Sequence, residues 1–144
     1  MTPSNRKARL REFVAAVWDN GDLSRVDEYV APAYHIRHDP GDPWHGQVLD
    51  HAAFANRVAQ SRAAFPDQKF TFEGLFEDGD TVVMTWTWLA TQQGDVGPFR
   101  ATGRPIAMSG ATAYGFDAED RLTGHWQIVD RLSVFQQLQG NAQG

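Results

Sequence analysis

"TVVMTWTWLATQQ", residues 81–93, decides the fold class. Val82, Met84, Trp86 and Trp88 alternate with Val83, Thr85, Thr87 and Leu89, the period of two that sends successive side chains to opposite faces of a strand. The stretches around it repeat the pattern. Residues 68–80, "QKFTFEGLFEDGD", read as a strand that ends in a turn at Asp78-Gly79-Asp80. A Gly/Pro-rich loop, "GDVGPFRATG", leads to "RPIAMSGATAYGF", residues 104–116, with Ile106, Met108, Thr112, Tyr114 and Phe116 on one face. "DAED" then turns into the last strand, "RLTGHWQIVD", residues 121–130. Hairpin-sized connections between consecutive strands predict an antiparallel sheet.

Further out, the period changes to that of helices. In "SNRKARLREFVAAVWDNGD", residues 4–22, Leu10, Phe13, Val14, Val17 and Trp18 recur at helical spacing, with Ser4 placed to cap the start and Asn20-Gly21 to stop it. "DLSRVDEYVA" reads as a short helix ended by Pro32. "AYHIRHD", residues 33–39, alternates as a strand with Tyr34, Ile36 and His38 on one side, and "PGDPWHG" follows as a loop. "QVLDHAAFANRVAQSRAAF", residues 47–65, is a long helix capped by Asp50 and ended by Pro66. Helices gathered in the first half and strands in the second predict an α+β fold, one domain over 1–144, with loose termini at 1–4 and 140–144. A strongly curved sheet of this kind wraps around the helices and leaves an open-ended pocket.

Composition narrows the function. The 144 residues carry a net charge of −5, with 42% hydrophobic and 22% charged residues. No basic stripe is present, which argues against nucleic acid. Five Trp and nine Phe are enough to line a cavity for a flat or apolar ligand as well as fill a core. With no cysteine there are no disulfides, thiolate metal sites or Cys nucleophiles. "MTPSNRKARLREF" has no apolar segment of the signal-peptide kind and no apolar run approaches a membrane span, so the expectation is a soluble, cytoplasmic protein.

The last strand poses the sharpest question. Strict alternation puts Leu122, Gly124, Trp126, Ile128 and Asp130 on one face, so a buried face ends in a carboxylate. Asp130 either caps the helix "RLSVFQQL", where Asp is favoured, or serves as the acid/base of the pocket.

Several stretches together resemble the SnoaL-like polyketide cyclases of the NTF2-like superfamily. These are "DNGDLSRVDEYVA", "YHIRHDP", "RAAFPD", "DGDTVVMTWTW", "TGRPIAMSGATAYGF" and "LTGHWQIVDRLSVFQQL", in the family's order. The resemblance implies an α+β cone: a curved sheet wrapped around N-terminal helices, with an internal pocket. It also implies that the Asp closing the W-x-x-x-D stretch, Asp130, is the catalytic acid/base, and that His38, ending the first strand, is a pocket residue. Two positions depart from the family pattern. Gly124 stands where a Glu is frequent, and Thr91-Gln92-Gln93-Gly94 lacks the His of a frequent T-H-x-G.

Aldol cyclisation needs a base for an activated carbon, a donor for the developing oxyanion and a cavity that pre-folds the chain. No cofactor and no metal are required when the carbon acid lies between carbonyl groups. The expected site joins Asp130 and His38 as catalytic residues with Tyr34, Met84, Trp86, Met108 and Trp126 as lining, Gln92 as a further donor and Trp44 as either a lid over the mouth or a packed anchor of its loop. The implied partner is a small hydrophobic or polyketide-like molecule. Two rivals stand beside cyclisation or isomerisation: a binding protein without turnover, and a hydrolase activating water at Asp130, as on an epoxide. The dense run His35, His38, His45, His51 invites a metal reading, but strand parity separates His35 from His38 and no carboxylate motif completes a site. Finally, Ala107, Ser109, Ala111, Ala113 and Gly115 form a small, weakly polar outward stripe beside Val83, Thr85, Thr87 and Leu89. That stripe predicts a homodimer through the sheet's convex face.

Overall fold

The computed structural model describes residues 4–144. Helix α1 (Arg6–Phe13) continues without a break into π-helical turns over Val14–Asp19. Ser4 Oγ accepts the Arg6 N–H at its start. Gly21, with φ of 68°, provides the left-handed residue that releases the chain from the helix. A 3₁₀ turn (Leu23–Arg25) and the short α2 (Val26–Tyr29) follow. The helix ends at Tyr29 rather than running to Pro32, and the exposed Pro32 lies inside strand β1 (Val30–His38). After the two-residue β2 (Val48–Leu49) comes α3 (His51–Ala63), capped as its sequence predicts by Asp50, whose carboxylate accepts the Ala53 N–H at 2.8 Å.

Strands β3 (Lys69–Asp78), β4 (Thr81–Thr91), β5 (Pro105–Phe116) and β6 (Leu122–Val129) complete the sheet, and α4 (Arg131–Gln143) closes the chain. Residues 140–143 are therefore helical, where a loose tail was expected. Of the expected N-terminal tail, residues 1–3 lie outside the described residues. The strand order is β2-β1-β6-β5-β4-β3. The sheet is mixed, not purely antiparallel: β1 runs parallel to β6, since the last strand returns across the molecule to the first. No helix among the described residues is long and apolar enough to cross a membrane.

The concave face carries the core. Leu10, Phe13, Val14, Val17, Phe54 and Val58 from the helices pack on Ile36, Val82, Met84, Ile106 and Phe116 from the strands. For β4 and β5 the inward parity is the one their sequences predict. Bulges curve the sheet and change parity where they occur, because an extra residue in one strand sends everything beyond it to the opposite face. One lies in β6. Gly115 pairs with Gly124 but Phe116 pairs with Leu122, leaving Thr123 as the extra residue. Leu122 is still inward, yet beyond the bulge His125, Gln127 and Val129 face in, while Trp126 and Ile128 face out. A second bulge, between Ile36 and His38, does the same in β1: His38 turns outward opposite Trp126 and Asp39 turns in. The last strand is thus reversed relative to the alternation expected of it.

Candidate functional site

Between α3, the sheet and the start of α4 lies a cavity of about 400 Å³. Its walls are aromatic. Trp86 meets Phe70 edge-on at 5.0 Å between ring centroids, and Trp88 meets Phe65 at the same distance. Of the residues expected to line a pocket, Tyr34, Trp86 and Met108 do so.

The others lie elsewhere, each for a physical reason. Met84 is buried in the core. Gln92 is fully buried, and its amide donates to the carbonyls of Gly94, Phe99 and Arg100, so it pins the loop before β5. Trp44 is half-buried beneath the Arg57 guanidinium, with Cζ 5.9 Å from its ring centroid. Trp126 is 49% exposed and stacks on His38 at 4.5 Å on the outer face. Asp130 is exposed, and its carboxylate accepts the Ser133 N–H at 3.0 Å as the N-cap of α4. The pocket placement of His38, Trp126 and Asp130 fails together, because all three sit beyond the two bulges.

The same bulges bring a different polar set inward. Asp39, 1% exposed, and His125, 2% exposed, meet at the cavity floor, with His125 Nε2 2.8 Å from Asp39 Oδ2. The other imidazole nitrogen, Nδ1, lies 2.6 Å from the Tyr34 hydroxyl. Gln127 Nε2 donates to Asp39 at 3.0 Å while its Oε1 accepts from the Thr112 hydroxyl at 2.6 Å. Thr112 in turn accepts the Trp86 indole N–H at 2.9 Å. Arg131 from α4 donates to the other Asp39 oxygen at 2.9 Å, and Arg57 from α3 reaches Asp39 at 3.3 Å. Three elements, β6, α4 and α3, therefore converge on one carboxylate.

Electrostatics fix the protons. Burial pushes the Asp39 carboxyl up, but the hydrogen bond from His125, the charge of Arg57 and the hydrogen bond from Arg131 outweigh it and hold the group well below the usual carboxylate range. An ionised Asp39 can only accept, so Nε2 of His125 carries the hydrogen and Nδ1 is an acceptor. Burial also pushes the His125 pKa down, only partly offset by Asp39, and keeps the ring neutral. Burial raises the Tyr34 pKa well above its ordinary value, so the phenol stays protonated and donates to Nδ1. The result is an oriented line: Tyr34 O–H to His125, His125 N–H to Asp39.

Sequence reading missed Asp39, His125, Gln127, Arg57 and Arg131. A signal for His125 and Gln127 was present. A glycine inside a strand marks a bulge or a close approach, and a Cβ on Gly124 would run into the His35 carbonyl oxygen. Taking Gly124 as a parity switch brings His125 and Gln127 inward.

Known proteins share this architecture. A candidate polyketide cyclase from Acidithiobacillus ferrooxidans is 54% identical, with 98% of this chain and 99% of that one aligned and a TM-score of 0.92. IdmH, a candidate polyketide cyclase from Streptomyces antibioticus, is 24% identical over 94% of this chain and 99% of its own, with a TM-score of 0.78. AclR, a candidate hydroxylase from Streptomyces galilaeus, reaches the same TM-score of 0.78 at 21% identity over 94% and 96%. These two distant structures carry different activity names, so their likeness extends to the fold and no further. No curated protein sequence matches the chain. The sequence profile of the SnoaL-like polyketide cyclases matches residues 8–138, and the chain belongs to that family.

Proposed function

We propose that this chain is a cofactor-independent acid/base catalyst of the cyclase type. Its substrate is a small, flat, polyketide-like carbonyl compound, and protons pass along the line Tyr34–His125–Asp39. The observation that carries this reading is that line itself, buried at the floor of an aromatic cavity. Both His125 nitrogens are engaged, so the group that meets substrate is the Tyr34 hydroxyl. Its oxygen takes the proton from the activated carbon while its own proton passes to His125 Nδ1, and Asp39 stabilises the imidazolium. The enolate carbon then bonds to a second carbonyl carbon. The alkoxide so formed is protonated by Tyr34 as His125 returns its proton. No net charge is left on the protein.

The test is deuterium uptake from D2O, followed by NMR, at the carbon between the carbonyls of an aryl β-keto ester. The protein should accelerate exchange beyond an equal concentration of free imidazole. His125→Gln, which cannot take the relayed proton, should lose on the order of 10²-fold. Wild-type exchange no faster than imidazole would leave the cavity as a binding site alone. That second reading has support of its own, since in the resting state neither His125 nitrogen is free to act on a ligand directly. The hydrolase alternative loses its support, because a water held by Asp130 would sit on the exposed cap of α4. The proposal includes a homodimer formed through the outer face of the sheet.

A further inference from the structure

Arg57 is built into the cavity wall in a way the proton relay does not use. It lies on the buried face of α3 beside Phe54 and Val58. One nitrogen, Nη2, makes both of its ion pairs, at 2.6 Å to Asp42 and 3.3 Å to Asp39. The Nε–H is buried without any hydrogen-bond partner. The guanidinium carbon stands over the rings of Trp18, at 5.4 Å, and Trp44, at 5.9 Å, so the planar group is held in place. A purely structural arginine explains the Nη2 contacts and the indoles. It does not explain a buried, charged group that leaves both Nε and Nη1 without an acceptor, since an unsatisfied N–H is costly and an acceptor oxygen removes that cost.

We propose that the Arg57 guanidinium is the docking point for a carbonyl or enol oxygen of a flat, uncharged ligand in the aromatic cavity. Charge balance selects this class over a carboxylate or phosphate. Asp39 and Asp42 already offset Arg57 and Arg131. Asp95, which also lines the cavity, adds a further negative charge. A full anion would enter a site with no positive charge to spare, whereas a neutral carbonyl accepts the free hydrogen bond at no such penalty. The same donor strengthens its hold as negative charge develops on that oxygen in enolisation, which makes Arg57 the oxyanion partner of the relay. Tyr34 and Arg57 both line the cavity, so the acidified carbon and its carbonyl oxygen are served from one space.

This deepens the proposed function and rests on the cavity being the ligand site. The experiment compares two ligands of nearly equal shape, 2-acetylnaphthalene and 2-ethylnaphthalene, by quenching of tryptophan fluorescence. The wild-type protein should bind the ketone at least about 10-fold more tightly, in line with a hydrogen bond from a charged donor. In Arg57→Lys, which keeps a cation opposite Asp42 but lacks the Nε and Nη1 donors, the preference should collapse to within about 3-fold with affinity for the hydrocarbon retained. The Arg57 Nε–H resonance of 15N-labelled wild type should shift with the ketone and not with the hydrocarbon, a readout that needs no variant to fold. Equal binding of both ligands by the wild type, or an undiminished preference in Arg57→Lys, overturns this inference alone. Binding of neither ligand overturns it together with the cavity reading beneath it.

Discussion

Asp130 and Asp39 show how the same residue type takes different roles according to what surrounds it. Asp130 is a water-exposed cap. Asn caps about as well, so Asp130→Asn should keep both stability and ligand affinity, while Asp130→Ala should cost roughly 0.5–2 kcal/mol in denaturant unfolding. A large loss of exchange activity in the folded Asn variant would return Asp130 to the chemistry. Asp39 is the opposite case. Its neighbours are two guanidiniums and an imidazole with little water, so removing its charge strands them, and Asp39→Asn should destabilise by about 3–5 kcal/mol. The pair also sets a pH dependence of stability. Because the folded His125 pKa is lowered, the folded chain resists a proton that the unfolded imidazole accepts, so stability falls as pH drops below about 6.5. The Asp39 pKa is lowered too, so its contribution is present above about pH 4 and disappears as pH falls through the folded value. Urea midpoints between pH 7.5 and 5.5 should therefore decline, and His125→Gln should flatten that decline. An unchanged slope in the variant would assign it to another group.

At the scale of elements, what was legible in the sequence follows what periodicity can carry. Strands β4 and β5 pair residue for residue along their whole length, so alternation gave their inward faces correctly, including Trp86 and Met108. Helix α3 has an Asp cap and a Pro stop, both local chemistry. Strands β1 and β6 each contain a bulge, and a period of two has no memory across one. The candidate site sits there, which is why the pocket's aromatic wall was readable and its polar floor was not. Arg57 was hidden differently: its role depends on Asp39 and Asp42, 18 and 15 residues away in sequence. Gly124 is the testable part of this argument. A methyl group there would meet the His35 carbonyl and, at 2.7 Å, the Arg37 guanidinium. Relief requires β1 and β6 to move apart just where their bulges set the parity of Asp39 and His125. Gly124→Ala should cost more than about 1 kcal/mol and weaken ketone binding together with stability. A variant as stable as wild type would show that the close approach is not what keeps this position a glycine.

At the scale of the molecule, the residues turned outward by the bulges join an exposed apolar row. Phe76 pairs with Val83, Val83 with Ala113, Ala113 with Trp126 and Trp126 with His38, forming one continuous row across β3, β4, β5, β6 and β1. Beside it run Thr85, Ala111 and Ile128, and then Leu89 with Ala107. Phe76 is 61% exposed, Leu89 59% and Ile128 48%, so the row and its neighbours present large apolar side chains among small ones. A pleated face of this texture suits a second copy of itself, because bulky residues of one sheet can settle over the alanines of the other under a two-fold axis. The Trp126–His38 stack, read in the sequence as the pocket's interior, becomes one end of that row. We therefore expect a homodimer at micromolar concentration, observable by light scattering after size exclusion. Trp126→Glu puts a charge within the row without touching the cavity. It should yield a folded monomer whose far-ultraviolet circular dichroism and ketone affinity match the wild type. A wild-type protein that runs as a monomer would remove the interface. A Trp126→Glu dimer would move it to another face of the molecule.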